Sequence, residues 1–195
     1  MLYKLAHILR DKLRWAWDII EWVNSVLFSL RYEKRLKGFS FSGIPEGYEV
    51  VPMREVPTEK LVEFFSHQPE EAYTYFRPHG FEAKSIKQLQ HNKSFLAYTL
   101  IDKANQQIAG YCFNRSFFHG VGFRGRMVDI NYRGKGLGTA MNKLLNEVGF
   151  GVGLHLFETV SKDNIASYRS ALSASNVKVV KEMPNNEVYL EVMQE

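Results

Sequence analysis

The segment Arg133-Gly134-Lys135-Gly136-Leu137-Gly138 constrains this chain more than any other stretch of it. An extended run, Phe123 to Asn131, leads into it. A run with helical spacing leads out, through Leu137, Ala140, Met141, Leu144, Leu145 and Val148. Glycine at alternate positions lets the backbone turn sharply and present several N–H groups with no side chain in the way. Those donors lie at the N-terminus of a helix, where the macrodipole favours negative charge. Arg133 and Lys135 add positive charge at the same place. The chain must therefore hold a strand that feeds a helix through an anion-binding turn, and the anion it suits is a phosphate or pyrophosphate.

Several phosphate-binding turns are distinguishable by spacing. A Walker loop needs Gly, four residues, then Gly-Lys-Ser/Thr, and that pattern is absent. A dinucleotide fingerprint could use Gly134 and Gly136 but then meets Thr139 where a third glycine belongs. Glu158 does stand about twenty residues on, as that motif requires. The turn, however, comes late in the chain, after runs that read as antiparallel strands and not as a leading βαβ unit. A glycine turn of purely structural use is the remaining alternative.

The rest of the chain reads as mixed α/β. After a Gly/Ser/Pro-rich linker over 38–47 come a short strand, Tyr48 to Met53, and a helix from Pro57 to about His67. Glu70 to Phe76 and Lys84 to Gln90 read as further short helices. The aromatic residues between Phe64 and Phe81 suit a core or a substrate cleft. Phe95 to Ile101 and Ile108 to Phe118 form a hairpin around Asp102 to Gln106. Gly149, Gly151 and Gly153 are expected to break the helix that starts near Leu137. Leu154 to Val160 is then a strand, Asn164 to Ala174 a helix, and Val177–Met183 with Glu187–Val192 a closing hairpin. A single cysteine, Cys112, excludes a disulfide framework, the six histidines show no paired metal-ligand spacing, and a reducing cytoplasm is the expected compartment. No metal is expected.

Residues 1–37 stand apart as an expected amphipathic basic helix, with 48–195 as the main domain. Leu2, Leu5, Leu9, Leu13, Ala16, Ile20, Val23, Leu27 and Leu30 step by three or four residues; Lys4, Asp11, Arg14, Asp18, Glu21 and Ser25 fall on the other side. This segment carries eight Lys/Arg against four Asp/Glu, while the other 158 residues carry seventeen of each, so the whole net charge of +4 belongs to it. A near-neutral main domain is no generic nucleic-acid binder. Asp18, Glu21 and Asn24 argue against a membrane-spanning helix. Three readings stand: packing on its own domain or a symmetry mate in a homodimer, peripheral docking on an anionic membrane through Trp15, Trp17, Trp22 and the basic ends, and a partner helix for another protein.

Met127-Val128-Asp129-Ile130-Asn131-Tyr132-Arg133-Gly134-Lys135-Gly136-Leu137-Gly138 resembles the acyl-CoA signature of the GNAT N-acetyltransferase superfamily, and Val160 to Ser167 resembles that family's second block. The resemblance covers about Glu49 to Val192. It implies a single domain with a mostly antiparallel, splayed sheet flanked by helices. It further implies acetyl-CoA as co-substrate, with Met127 and Val128 on the pantetheine arm and Arg133, Gly134, Lys135, Gly136, Leu137, Gly138 and Thr139 around the pyrophosphate. Asn164 would then face the cofactor near its thioester. The implied reaction is direct attack of a primary amine on the acetyl carbonyl, with the coenzyme leaving as a thiol.

Two positions depart from the family pattern. A tyrosine is common seven residues after the Asn of the second block, where this chain has Ala171, and a glutamate base is common where it has Thr159. Tyr168, one helical turn before Ala171, and His119, in the loop Phe118-His119-Gly120, are the candidate acid–base residues in their stead. Alternation puts His155 on one strand face with Thr159 and Glu158 on the other. The expected acceptor is a small amine such as an amino sugar. A protein or peptide N-terminus is the alternative within the enzyme class, and an acyl-CoA-binding interaction protein without turnover is the alternative outside it.

Overall fold

The computed structural model describes residues 14–36, 41 and 43–194. Its strands are β1 (Tyr48–Pro52), β2 (Phe95–Asp102), β3 (Ile108–Ser116), β4 (Val121–Val128), β5 (His155–Ser161), β6 (Asn176–Met183) and β7 (Glu187–Met193). They form one seven-stranded sheet in the order β1-β2-β3-β4-β5-β7-β6. Every neighbouring pair is antiparallel except β4 and β5. The expected mixed α/β architecture is the one observed.

Five helices flank the sheet: α1 (Arg14–Leu36), α2 (Thr58–Ser66), α3 (Ala83–His91), α4 (Leu137–Val152) and α5 (Ile165–Ala174). On one face α4 lies over the centre. Leu137, Met141, Leu144, Leu145, Val148 and Val152 are all buried against Leu100, Ala109, Cys112 and Leu156, an i, i+4, i+7 stripe meeting alternate strand residues. On the other face α2 and α3 cover Phe95, Ala97, Tyr111, Phe113 and Met127 through Leu61, Phe64, Phe65, Ile86 and Leu89. A smaller cluster of Val160, Ala171, Val188 and Leu190 seats α5.

Two expectations are corrected. Gly149 and Gly151 do not break α4, which runs on to Val152 and stops at Gly153 in the left-handed region. A Cβ at Gly149 would stand 2.6 Å from Leu156, so this glycine allows close approach of helix to strand. The second correction concerns the N-terminal helix, of which residues 1–13 lie outside the described part, as does much of the linker. Ile20, Val23, Leu27 and Leu30 are exposed, so of the three readings of this stripe its packing on its own domain is the one corrected. Ser25, Phe28, Ser29 and Tyr32 face the domain instead. Asn24 fixes this orientation: its Nδ2 donates to Ser94 Oγ (2.9 Å) and Ser116 O (3.0 Å), and its Oδ1 accepts from Phe118 N (3.0 Å). Backbone groups at the β2 and β3 ends need partners, and satisfying them turns the helix polar side inward.

Candidate functional site

The parallel pair β4–β5 is joined over three residues only, Val121 to Phe123 against His155 to Phe157. Beyond them the strands part, and a cleft opens through the sheet between the C-terminal half of β4 and β5. Its volume is about 490 Å³. One mouth is formed by the glycine turn and by Ala166, Ser167 and Ser170 of α5; the other, on the α2/α3 face, by Glu71, Ala72, Tyr75 and Phe76.

The turn takes the shape its glycines require. Gly134 and Gly136 have φ of 77° and 75°, the left-handed region, and space beside both is open. Their requirement is conformational and not steric. Gly136 caps α4 without a side-chain hydrogen bond, so the N–H groups of the first helical turn have no intrahelical or side-chain acceptor and favour an anion. Lys135 Nζ lies 4.7 Å from the centroid of the Tyr132 ring. Tyr132 is itself held by Asp102 (2.9 Å) and Asn105 (2.8 Å). Just before the turn, Asp129 accepts from Asn131 N (2.8 Å) and Gln68 Nε2 (2.6 Å), so the approach from β4 is rigid.

Where backbone pairing ends, side chains tie the two strands. Arg124 grips Glu158 with two parallel bonds, Nε to Oε2 at 3.0 Å and Nη2 to Oε1 at 2.9 Å. Arg126 Nη1 reaches the same Oε2 at 3.1 Å, and its Nη2 donates to Ser167 O of α5 at 2.8 Å. All three side chains are buried. Burial alone would raise the Glu158 pKa, but the charges and hydrogen bonds of Arg124 and Arg126 outweigh it and hold the carboxyl below its usual range. Burial pulls Arg126 below its ordinary value against the opposing pull of Glu158, and the guanidinium stays charged at neutral pH. Two cations and one anion leave the cleft with one excess positive charge.

Of the residues expected around the pyrophosphate, Arg133, Gly134, Gly136, Leu137, Gly138 and Thr139 line the cleft, as do Met127 and Val128, expected on the pantetheine arm, and Asn164, expected near the thioester. Lys135 stands beside it on Tyr132. Asn164 also caps α5, its Oδ1 accepting from Ser167 N at 3.2 Å. The structure does not bring His119 to this place. It is exposed in the turn between β3 and β4, stacked on Phe117 at 5.6 Å. It precedes β4, whose eight residues put Val128 about 23 Å from Val121 at the usual rise. Tyr168 packs on Val160, Ala171, Val188 and Leu190, about 100° around α5 from Ser167. His155, at the start of β5, is exposed.

Tyr75 and Phe76, among the aromatic residues that suit a core or a cleft, line it, whereas Arg124, Arg126 and Glu71 have no place in the sequence-based expectations. Arg124 and Arg126 did leave a signal, since two arginines at period two within an otherwise strand-like run put charge on one buried face. Glu71 left none, because only the fold brings its short 3-10 segment, Glu70–Tyr73, to the cleft. Among the described residues no group of His, Cys, Asp and Glu is placed to hold a metal ion.

Comparison with solved structures finds the same architecture repeatedly. The GNAT domain of S. lividans PAT aligns with a TM-score of 0.63 at 15% identity, covering 74% of this chain and 89% of that one. A ribosomal-protein-S5-alanine acetyltransferase from Vibrio fischeri aligns at 0.59 and 14%, covering 78% and 95%. The structure of yncA, a putative acetyltransferase from Salmonella typhimurium with its cofactor acetyl-CoA, aligns at 0.59 and 16%, covering 76% and 94%. Identities this low speak for the fold alone. A search of curated proteins gives no match. The sequence itself, however, matches the family model described as Acetyltransferase (GNAT) family over residues 57–171, more than half of its length and both glycine turn and cleft, and the chain belongs to that family.

Proposed function

We propose that this protein transfers an acetyl group from acetyl-CoA to a primary amine that enters from the α2/α3 face. The observation that carries the reading is the cleft through the sheet, with an anion-binding turn at one mouth and a carboxylate beside aromatic rings at the other. The backbone N–H groups from Gly134 to Thr139 would hold the pyrophosphate, with Arg133 and Lys135 adding charge. Met127 and Val128 would pair with the pantetheine arm, using strand backbone that β5 has left unpaired. The thioester then lies in the splay near Arg126 and Ser167, where the excess positive charge stabilises negative charge developing on the carbonyl oxygen and the leaving sulfur.

Proton handling falls to the acceptor mouth. Both oxygens of Glu158 are engaged by arginines, which makes it a poor base. Glu71, exposed at the opposite mouth beside Tyr75 and Phe76, attracts an ammonium and accepts its proton, directly or through one water. The amine nitrogen forms the new C–N bond, the C–S bond breaks, and the thiolate takes a proton from solvent. A cleft of this volume suits a small amine, an amino sugar being the size of acceptor we favour. A lone buried Cys112 is compatible with the reducing cytoplasm as its location.

A second reading, coenzyme binding without turnover, is favoured by one specific observation: neither His119 nor Tyr168 reaches the cleft. Calorimetric titration with coenzyme A, followed by thiol release from acetyl-CoA across a panel of small amines, separates the two. Wild type should bind, and Gly136→Val should weaken binding by roughly ten-fold or more, because a branched residue resists the left-handed backbone and crowds the N–H groups. Equal affinity in the two proteins refutes the coenzyme site. Binding without thiol release on any amine, including N-terminal peptides, favours the second reading.

A further inference from the structure

Helix α1 presents to solvent a side that a soluble domain ordinarily buries. Trp15, Ile19, Ile20, Trp22, Val23, Val26, Leu27 and Leu30 are all exposed, with Trp15 at 66%, Trp22 at 67% and Leu30 at 80%. At 100° per residue they fill an arc of about 160°, and from Trp15 to Leu30 the strip runs about 22 Å. Within that arc the only charged residues of α1 are Glu33 and Lys34, at its C-terminal end. The helix cannot roll to hide this face. The three bonds of Asn24, the Lys93 N to Ser25 Oγ bond (2.8 Å), the Arg35 Nη1 to Val152 O bond (3.0 Å) and the buried Phe28 and Tyr32 hold its other side to the domain. An exposed apolar strip of this extent marks an interaction site.

The shape and charge of the face choose among its occupants. One partner helix covers an a/d seam narrower than about 100°, which would leave part of this arc wet. A lipid interface wets no part of it. The helix is not a span: no helix among the described residues is long and apolar enough to cross a membrane, and Asp18, Glu21 and Asn24 interrupt it. Two exposed tryptophans are residues that settle at the headgroup level. Charge agrees, since the +4 net charge of the chain resides wholly in residues 1–37, and Lys34 at the C-terminal end of the arc and Arg31 and Arg35 beside it are exposed. We propose that α1 is an interfacial anchor that lays its outward apolar face on an anionic lipid surface, with the acetyltransferase domain fixed behind it. The contacts of α1 lie at the Ser94, Ser116 and Phe118 end of the sheet, and the cleft opens at the Val128 end of β4, so docking leaves the cleft accessible.

The test is co-flotation of the full chain with phosphatidylglycerol–phosphatidylcholine vesicles and with phosphatidylcholine vesicles, alongside sedimentation of the protein in solution. The expected result is a monomer that partitions onto the anionic vesicles at least about ten-fold better than onto the neutral ones, with the preference shrinking as salt rises. Trp22→Glu combined with Leu30→Glu should cut partitioning by about ten-fold or more. Both positions are solvent-facing, so the variant should keep the wild-type melting curve and affinity for coenzyme A. No flotation with anionic vesicles overturns the proposal. So does flotation unchanged by the double substitution, and so does a stable dimer that the same substitution dissolves, since a second copy would then own the face.

Discussion

Acidification should weaken this fold through one side chain, His79. Its Nδ1 lies 2.8 Å from Gly80 O and its Nε2 3.0 Å from Tyr111 Oη. A neutral ring satisfies both, donating from Nδ1 to the carbonyl and accepting at Nε2 from the phenol, whose own pKa burial drives well up. Phe65, Phe81, Phe95 and Phe113 surround it with centroids 5.0 to 6.1 Å away. Burial is the largest cause pulling its pKa from 6.5 down to about 4; the Gly80 carbonyl and Glu82 pull upward, and Arg115 adds to the lowering. The unfolded chain therefore takes up a proton below about pH 6.5, which the folded chain refuses until about pH 4. Stability is complete above that window and falls as the pH drops through it. A difference of about 2.5 pH units at 1.36 kcal/mol each gives a total loss of roughly 3 kcal/mol, of which about 2 kcal/mol has gone by pH 5. Urea denaturation followed by circular dichroism at pH 7.5, 6 and 5 measures this. His79→Phe fills the same aromatic pocket but strands the Tyr111 hydroxyl, so it should cost roughly 1 kcal/mol at every pH and flatten the dependence between pH 7 and 5. Carboxylate titration is common to both proteins and cancels in the comparison; the stability held by the lowered Glu158 is lost only as the pH falls through and below the ordinary carboxylate range. Parallel pH profiles for wild type and His79→Phe would refute the reasoning.

The remaining predictions concern the ties that set the geometry. Glu158→Ala leaves two buried guanidinium groups without their anion and should cost about 3–5 kcal/mol in urea denaturation at neutral pH; a loss under about 1 kcal/mol would mean that water reaches the arginines. Asn24→Ala removes three hydrogen bonds, and should destabilise the fold by roughly 1–3 kcal/mol. Protease digestion should then cut near α1 faster than in wild type, and unchanged cleavage would show that Phe28 and Tyr32 suffice to dock the helix.

The glycine turn, the order of elements and the mixed sheet were legible because each rests on local chemistry. Three alternate glycines after a strand leave few conformations, and Gly134 and Gly136 adopt the left-handed one. The helix from Leu137 was readable by its period, yet its end was not. Gly149 signals a break only until one sees Leu156 against it, and that contact spans seven residues of sequence and a change of direction. The same limit explains α1. Its apolar stripe was read correctly as a stripe, but which side meets the domain depended on Ser94, Ser116 and Phe118 offering polar groups to Asn24. Periodicity reports that a helix has two sides and is silent on which neighbour each side finds. The positions of the acid–base candidates were illegible for a related reason. His119 and Tyr168 have suitable chemistry and lie near the motifs in sequence, but the eight residues of β4 put His119 at the end of that strand away from the cleft, and the turn of α5 puts Tyr168 on the small cluster of Val160, Ala171, Val188 and Leu190.

The splay itself follows from residues that no motif contains. A parallel pair that stops after three residues leaves backbone donors and acceptors on both strands to be satisfied by something else. It must also be kept from zipping shut. Arg124 and Arg126 meet the second demand. Their long side chains join Glu158 on β5 and Ser167 on α5, bridging the strands where the hydrogen-bonded ladder has ended. Apolar residues at 124, 126 and 158 would supply no such bridge, and the β-strands could pair on toward Val128. Glu158→Ala therefore separates two contributions, since the stability it removes and the coenzyme affinity it changes need not move together. Loss of stability with affinity retained assigns the triad to the fold; loss of affinity in a chain that still melts cooperatively assigns it to keeping the cleft open.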